Sequence, residues 1–181
     1  MKIVKFTKPF YLISDCHWFH SKTIFEFGMR PQFKSVEDMN SLMFKNWNET
    51  VKVDDFIFHV GDWVIGHKDK YGTAQSIHDS LNGKKIFIKG NHDSCLKEMT
   101  KLAVCEEPLT IIYKEKKVLI SHIPMWDFDR LEYDCHLFGH IHNDKSANNR
   151  IDHSCMKNLS VEMINFTPVH IDDILKGFER T

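Results

Sequence analysis

Seven side chains in this sequence can each bind a divalent cation, and each stands at or just past the end of an apolar run. Asp15 and His17 follow YLIS, Asp62 follows FIFHVG, and Asn91 follows KKIFIKG. His122 follows KKVLIS, and His140 and His142 follow CHLFG. Oxygen and imidazole donors without thiolate suit Mn, Fe, Zn, Co or Ni better than Cu(I) or an iron–sulfur cluster. Seven donors are too many for one ion and enough for two if a carboxylate bridges. Two divalent ions beside two carboxylates leave a surplus of about +2, which attracts phosphate. Such ions also lower the pKa of water enough to make a nucleophile near neutral pH.

Short apolar runs bounded by glycine and polar residues read as buried strands. Strand ends in an α/β sheet gather along one edge, where ligands bind, so these runs are expected to bring the donors together. Residues 1–6 read as a further strand, and Thr23–Phe33, with Gly28 and Pro31, as loop or short helix. Ser35–Val51 is a predicted helix: Ser35 can cap it, Glu37 and Asp38 sit in its first turn, and Val36, Met39, Met43 and Trp47 recur at helical spacing. Thr73–Leu81 is a second, stopped by Asn82-Gly83. The tail reads as a strand over 158–166 and a short helix or turn over 169–178.

The 181 residues suit a single domain, 1–181, with no repeat or linker. A net charge of -1 does not favour a long nucleic-acid partner. Five cysteines, an odd number with no CxxC pair, read as reduced thiols and a cytoplasmic location. No secretory leader or membrane span is expected from the apolar runs.

The ordered blocks Asp15-Cys16-His17, Gly61-Asp62, Gly90-Asn91-His92-Asp93, His122 and Gly139-His140-Ile141-His142 resemble those of the calcineurin-like metallophosphoesterases. The resemblance implies a four-layer α/β/β/α sandwich with two mixed sheets and a binuclear metal centre at one edge. By position, Asp15, His17 and His142 would bind one ion, Asn91, His122 and His140 the other, and Asp62 both. His92 would protonate the leaving oxygen, with Asp93 orienting its imidazole. The implied reaction is attack of a metal-bound hydroxide on a small phosphoester. Phosphodiesters, including cyclic or linear nucleotides, are favoured over phosphoproteins, because GDWVIGH lacks the aspartate and arginine of the phosphoprotein phosphatases' G-D-x-x-D-R-G block. A phosphomonoesterase, nucleotidase or nuclease is the alternative. A non-catalytic scaffold of the same fold fits less well, since every ligand is present.

Outside this set, His20 and Arg30 are substrate-binding candidates. Small bacterial and phage-type relatives resemble the chain at His20, and a guanidinium can clamp phosphate bidentately. His59 and His136 read as packed histidines, Cys16 as a bystander, and His67, His78, His153 and His170 as surface residues. Trp18, Phe19, Trp63 and Trp126 read as core beside the site blocks.

Overall fold

The computed structural model describes residues 2–65, 70–105 and 108–179, so His67 lies outside them. Two five-stranded sheets face each other. The first contains β2 (Phe10–Ile13), β3 (Phe56–Val60), β4 (Lys84–Ile88), β5 (Ala103–Cys105) and β10 (Val169–His170), in the order β10-β2-β3-β4-β5. All its pairings are parallel except β10 with β2. The second contains β1 (Lys2–Lys5), β6 (Leu109–Tyr113), β7 (Lys116–Ser121), β8 (Cys135–Phe138) and β9 (Met156–Asn158), in the order β1-β6-β7-β8-β9. There only β6 and β7 are antiparallel. Each half of the chain thus sends one strand to the other sheet: β1 joins the second and β10 the first.

Strand alternation explains the burial. Phe10, Leu12, Phe58, Val60 and Ile88 point between the sheets to meet Leu109, Ile111, Val118, Ile120 and Leu137. The intervening Ile13, Ile57 and Phe87 point outward to the helices. There α2 (Val36–Thr50) packs Met39, Met43 and Trp47, and the Ser35 hydroxyl accepts the Asp38 N–H as its cap. The second long helix, α3 (Lys70–Ser80), adds Ala74. The other sheet's outer face is covered thinly, by Ile151, Cys155 and the loop aromatics Trp126 and Phe128 against Phe138. At the sandwich end where β2 and β3 begin, Phe6, Phe10, Phe58 and Tyr113 stack edge to face.

One local expectation holds and another changes. Thr23–Phe33 contains most of a single helical turn, α1 (Lys22–Phe25), before the Gly28 loop. Residues 158–166 are not a strand: β9 ends at Asn158 and a 3-10 turn follows over Val161–Met163. Strands β5 and β6 were not apparent in the sequence. The chain closes with α4 (Lys145–Asn148) and α5 (Ile171–Phe178), the latter capped by the His170 ring, which accepts the Asp172 N–H.

His59 tests this core. It is fully buried against Trp63 and Phe87, with neither ring nitrogen hydrogen-bonded among the described residues. Burial pushes its pKa down to about 3, with His122 adding to the effect against the opposing charge of Asp62. The unfolded chain takes up this proton near pH 6.5 and the native chain does not. The stability contribution is therefore complete above about pH 6.5 and falls by up to about 1.4 kcal/mol per pH unit towards pH 3. His59→Phe should flatten that acid limb in urea unfolding measured from pH 4 to 7. An unchanged slope would mean that other groups control it. His136, also buried, shares the limb through a pKa lowered by burial to about 4, and its Nε2 pairs with the Ser121 hydroxyl at 2.9 Å.

Candidate metal centre

The ends of β2, β3, β4, β7 and β8 converge, and their donors form two groups. In one, Asp15, His17 and His142 bring ligand atoms within 4.8 Å of each other; in the other, Asp62, His122 and His140 do the same. Each group draws on both sheets. Asp15 and His17 follow β2, and Asp62 follows β3, whereas His122, His140 and His142 follow β7 and β8.

In the first group, Nε2 of His17 and Nε2 of His142 stand 3.2 Å apart. Asp15 Oδ1 lies 3.9 Å from the former and 3.6 Å from the latter. This oxygen is buried without a hydrogen-bond partner among the described residues. Its companion Oδ2 accepts from the His140 N–H and the Ser160 hydroxyl, each at 2.9 Å. Two imidazole nitrogens and an unsatisfied carboxylate oxygen aimed at one point repel each other unless a cation or proton lies between them. The donor set fits a borderline divalent ion.

In the second group, Asn91 Oδ1 is 2.9 Å from His122 Nε2 and 3.0 Å from His140 Nδ1. Asp62 Oδ2 stands between the groups, 3.3 Å from His122 Nε2 and 3.5 Å from His17 Nε2. His122 Nδ1 donates to the Val60 carbonyl at 2.9 Å, which fixes the ring from behind. Five donor residues have left-handed backbone: Asp15 (φ 56°), His17 (46°), Asp62 (61°), His140 (70°) and His142 (44°). Glycines allow the close approach. A Cβ on Gly61, itself at φ +89°, would enter the His122 ring, and one on Gly139 would strike Ser14 Oγ and Asp15 Oδ2.

Electrostatics divides the histidines. Burial pushes His17 well below its ordinary pKa despite the opposing Asp62 charge, and burial with the nearby His122 lowers His140. Both rings therefore favour the neutral form, the form in which an imidazole can ligate a metal. For His122, burial is overcome by its hydrogen bond to Asp62 and by the Asp15 charge, and its pKa rises to about 9. Burial likewise works against ionisation of Asp62, but His122 and His17 outweigh it and hold the carboxyl below the usual range. An ion held by this group would have to displace the His122 proton.

Above both groups lies a cavity of about 420 Å3. His92, His20 and the imidazoles of His17, His140 and His142 form one side, with Phe27, Met29, Ile65 and Lys22 around it. The His92 ring centroid is 5.8 Å from that of His17, and its backbone N–H donates to Asp62 Oδ1 at 2.9 Å. His20 is half-buried in the wall, its pKa lowered to about 4 by burial and then by Arg30.

Two residues depart from their expected places. Arg30 is wholly buried, donating to the carbonyls of Asp15 and Cys16 and to Glu162, so it does not present its guanidinium to a substrate. Asp93 does not orient the His92 ring. Its carboxylate accepts the backbone N–H groups of Trp63 (2.7 Å), Gly90 (2.8 Å) and Asp62 (2.9 Å). Asp93→Ala should strand three buried donors, at about 1–3 kcal/mol each. It should lower the melting temperature and metal content together, with no preference among leaving groups. Wild-type metal content in the folded variant would contradict this.

Sequence reasoning missed Glu162, whose carboxylate contacts His142 Nδ1 at 3.1 Å, and Ser160 behind Asp15, since neither lies in a motif. Cys16, Trp18 and Trp63 are core, as expected. His78 pairs with Asp79, and His153 is exposed. Trp126, partly buried, lies 4.2 Å under the Arg150 guanidinium.

Comparison with known proteins decides the family. The calcineurin-like phosphoesterase family matches residues 8–111. The chain belongs to that family. Calcineurin-like phosphoesterases are metal-dependent phosphoester hydrolases, and the two donor groups agree with that chemistry. An uncharacterized protein of Methanocaldococcus jannaschii is 34% identical over 179 residues, covering 96% of this chain and 93% of the relative. A solved structure of a protein of unknown function from Aquifex aeolicus shares the fold with a TM-score of 0.70. It is 24% identical and covers 93% of this chain and 98% of its own. No helix among the described residues is long and apolar enough to cross a membrane.

Proposed function

We propose that this calcineurin-like phosphoesterase is a single-domain cytoplasmic enzyme holding two transition-metal ions, of Mn, Fe, Zn, Co or Ni type, and hydrolysing small phosphodiesters, nucleotides among them. The observation that carries this reading is Asp62 Oδ2, within 3.5 Å of one imidazole from each donor group, at the floor of the cavity. Asp15, His17 and His142 would hold one ion, Asn91, His122 and His140 the other, and Asp62 would bridge. Bound there, two divalent ions supply charge to the phosphoryl oxygens and lower the pKa of the attacking water.

The chain's own residues do the rest. Asp62 Oδ1 holds the His92 N–H, which sets that imidazole at the cavity wall beside the donors. From there it can give a proton to the departing alkoxide. The cavity exceeds a phosphate in size, and Phe27, Met29 and Ile65 offer apolar surface to an organic arm. That extra room favours a diester over inorganic or protein-bound phosphate.

The test is a phosphoester panel assayed after chelation and reloading with each metal separately. Chelation should abolish turnover and a divalent transition ion should restore it, with bis-nitrophenyl phosphate cleaved faster than the monoester. Preference for the monoester would favour a phosphatase or nucleotidase instead. Fewer than two ions in the active protein would refute the binuclear centre.

A further inference from the structure

Behind the donors runs a buried ion pair that the reaction does not itself employ. Arg30 has no exposed surface, and the Glu162 side chain is 3% exposed. Arg30 Nε donates to Glu162 Oε1 at 2.7 Å. Its Nη2 donates to the Asp15 carbonyl at 2.7 Å and its Nη1 to the Cys16 carbonyl at 2.9 Å. Both Glu162 oxygens lie 3.1 Å from His142 Nδ1. A buried ion pair is by itself a poor source of stability. This one ends on Asp15, on the turn to His17, and on His142, which together form one donor group.

We propose that the Arg30–Glu162 pair is a positioning device for the Asp15–His17–His142 half of the metal centre, setting that half's metal affinity separately from the other. The proposal rests on the binuclear reading above. Arg30 clamps two successive carbonyls, and so fixes a turn in which Asp15 and His17 both hold left-handed backbone. Glu162 accepts from Nδ1–H of His142, so that in the neutral ring the Nε2 lone pair faces His17 Nε2 and Asp15 Oδ1. A carboxylate behind a ligating imidazole fixes its tautomer and raises its basicity. In the other group the corresponding contacts are of another kind, neutral oxygens rather than a carboxylate. His122 Nδ1 meets a neutral carbonyl, that of Val60, and His140 Nδ1 faces Asn91.

Zn2+ titration of the metal-free full-length protein tests this without recourse to turnover. Calorimetry should resolve two affinities in the wild type. In Glu162→Gln one should weaken by about 10–100-fold and the other should stay within about twofold. Imidazole NMR signals identify the order of filling. In the variant, His122 and His140 should shift before His17 and His142. Unchanged affinities, or equal weakening of both, would overturn the proposal. A wild type binding fewer than two ions would instead count against the binuclear reading. Should the variant not fold, the wild type still decides. At a pH where the His142 ring is neutral, its 15N spectrum should show Nδ1 protonated and Nε2 bare, and the opposite tautomer would overturn the assignment.

Discussion

Replacement of Asp62 by alanine should remove both ions and lower kcat/KM by on the order of 10³ or more, the kinetic equivalent of several kcal/mol of lost charge stabilisation. One oxygen is close to an imidazole of each donor group, and the other holds the His92 N–H. Alanine therefore deletes a shared anion and releases the His92 loop. His17→Ala should behave differently, because the Asn91, His122 and Asp62 atoms of the second group do not depend on that ring. Elemental analysis of both variants, beside Asp62→Asn, separates loss of charge from loss of shape. Two ions at near-normal affinity in Asp62→Ala would rule out the bridge.

For His92→Ala, both ions should remain, and the rate should fall by about 10²–10⁴, the usual range for a positioned proton donor. The size of the loss should follow the leaving group. A nitrophenolate, with a conjugate-acid pKa of about 7, departs with little help, whereas a ribose alkoxide needs a proton. The variant should remain fairly competent on nitrophenyl esters and fail on nucleotide esters. Equal loss on both would assign the ring to phosphate positioning. The Asp93 variant supplies the contrast, since its carboxylate is committed to three backbone donors and has no bond to this ring among the described residues.

Much of the centre was readable from the sequence because strand chemistry is local. A buried strand must be apolar, so the polar residue where it stops marks the edge of a sheet. Five such stops in order carry all seven donors. Helix α2 was equally plain, with Ser35 capping and Met39, Met43 and Trp47 on one face. What escaped the reading depends on contacts between distant segments. Arg30 and Glu162 are 132 positions apart, and neither lies in a periodic pattern. Asp93 follows His92 in the chain, so adjacency suggested a partnership. The loop instead turns its carboxylate towards the end of β3. The stretch 158–166 held alternating apolar residues, but Ser160 and Glu162 turn back to Asp15 and His142, and the backbone forms a 3-10 turn there.

The division of each donor group between two sheets has a consequence for how the molecule assembles. Asp15, His17, Asp62 and Asn91 come from the first 91 positions, and His122, His140 and His142 from the last 60. During synthesis the emerging first half carries no complete group, so stray ions find no tight site on it. On the binuclear reading, capture would wait until the second sheet has docked, late in folding. An ion held there would add a link between the sheets beside the backbone bonds that Ser14 makes with Leu159 and Val161. Occupancy should then raise the resistance of the sandwich to unfolding, because the unfolded chain offers no assembled group to hold the ion.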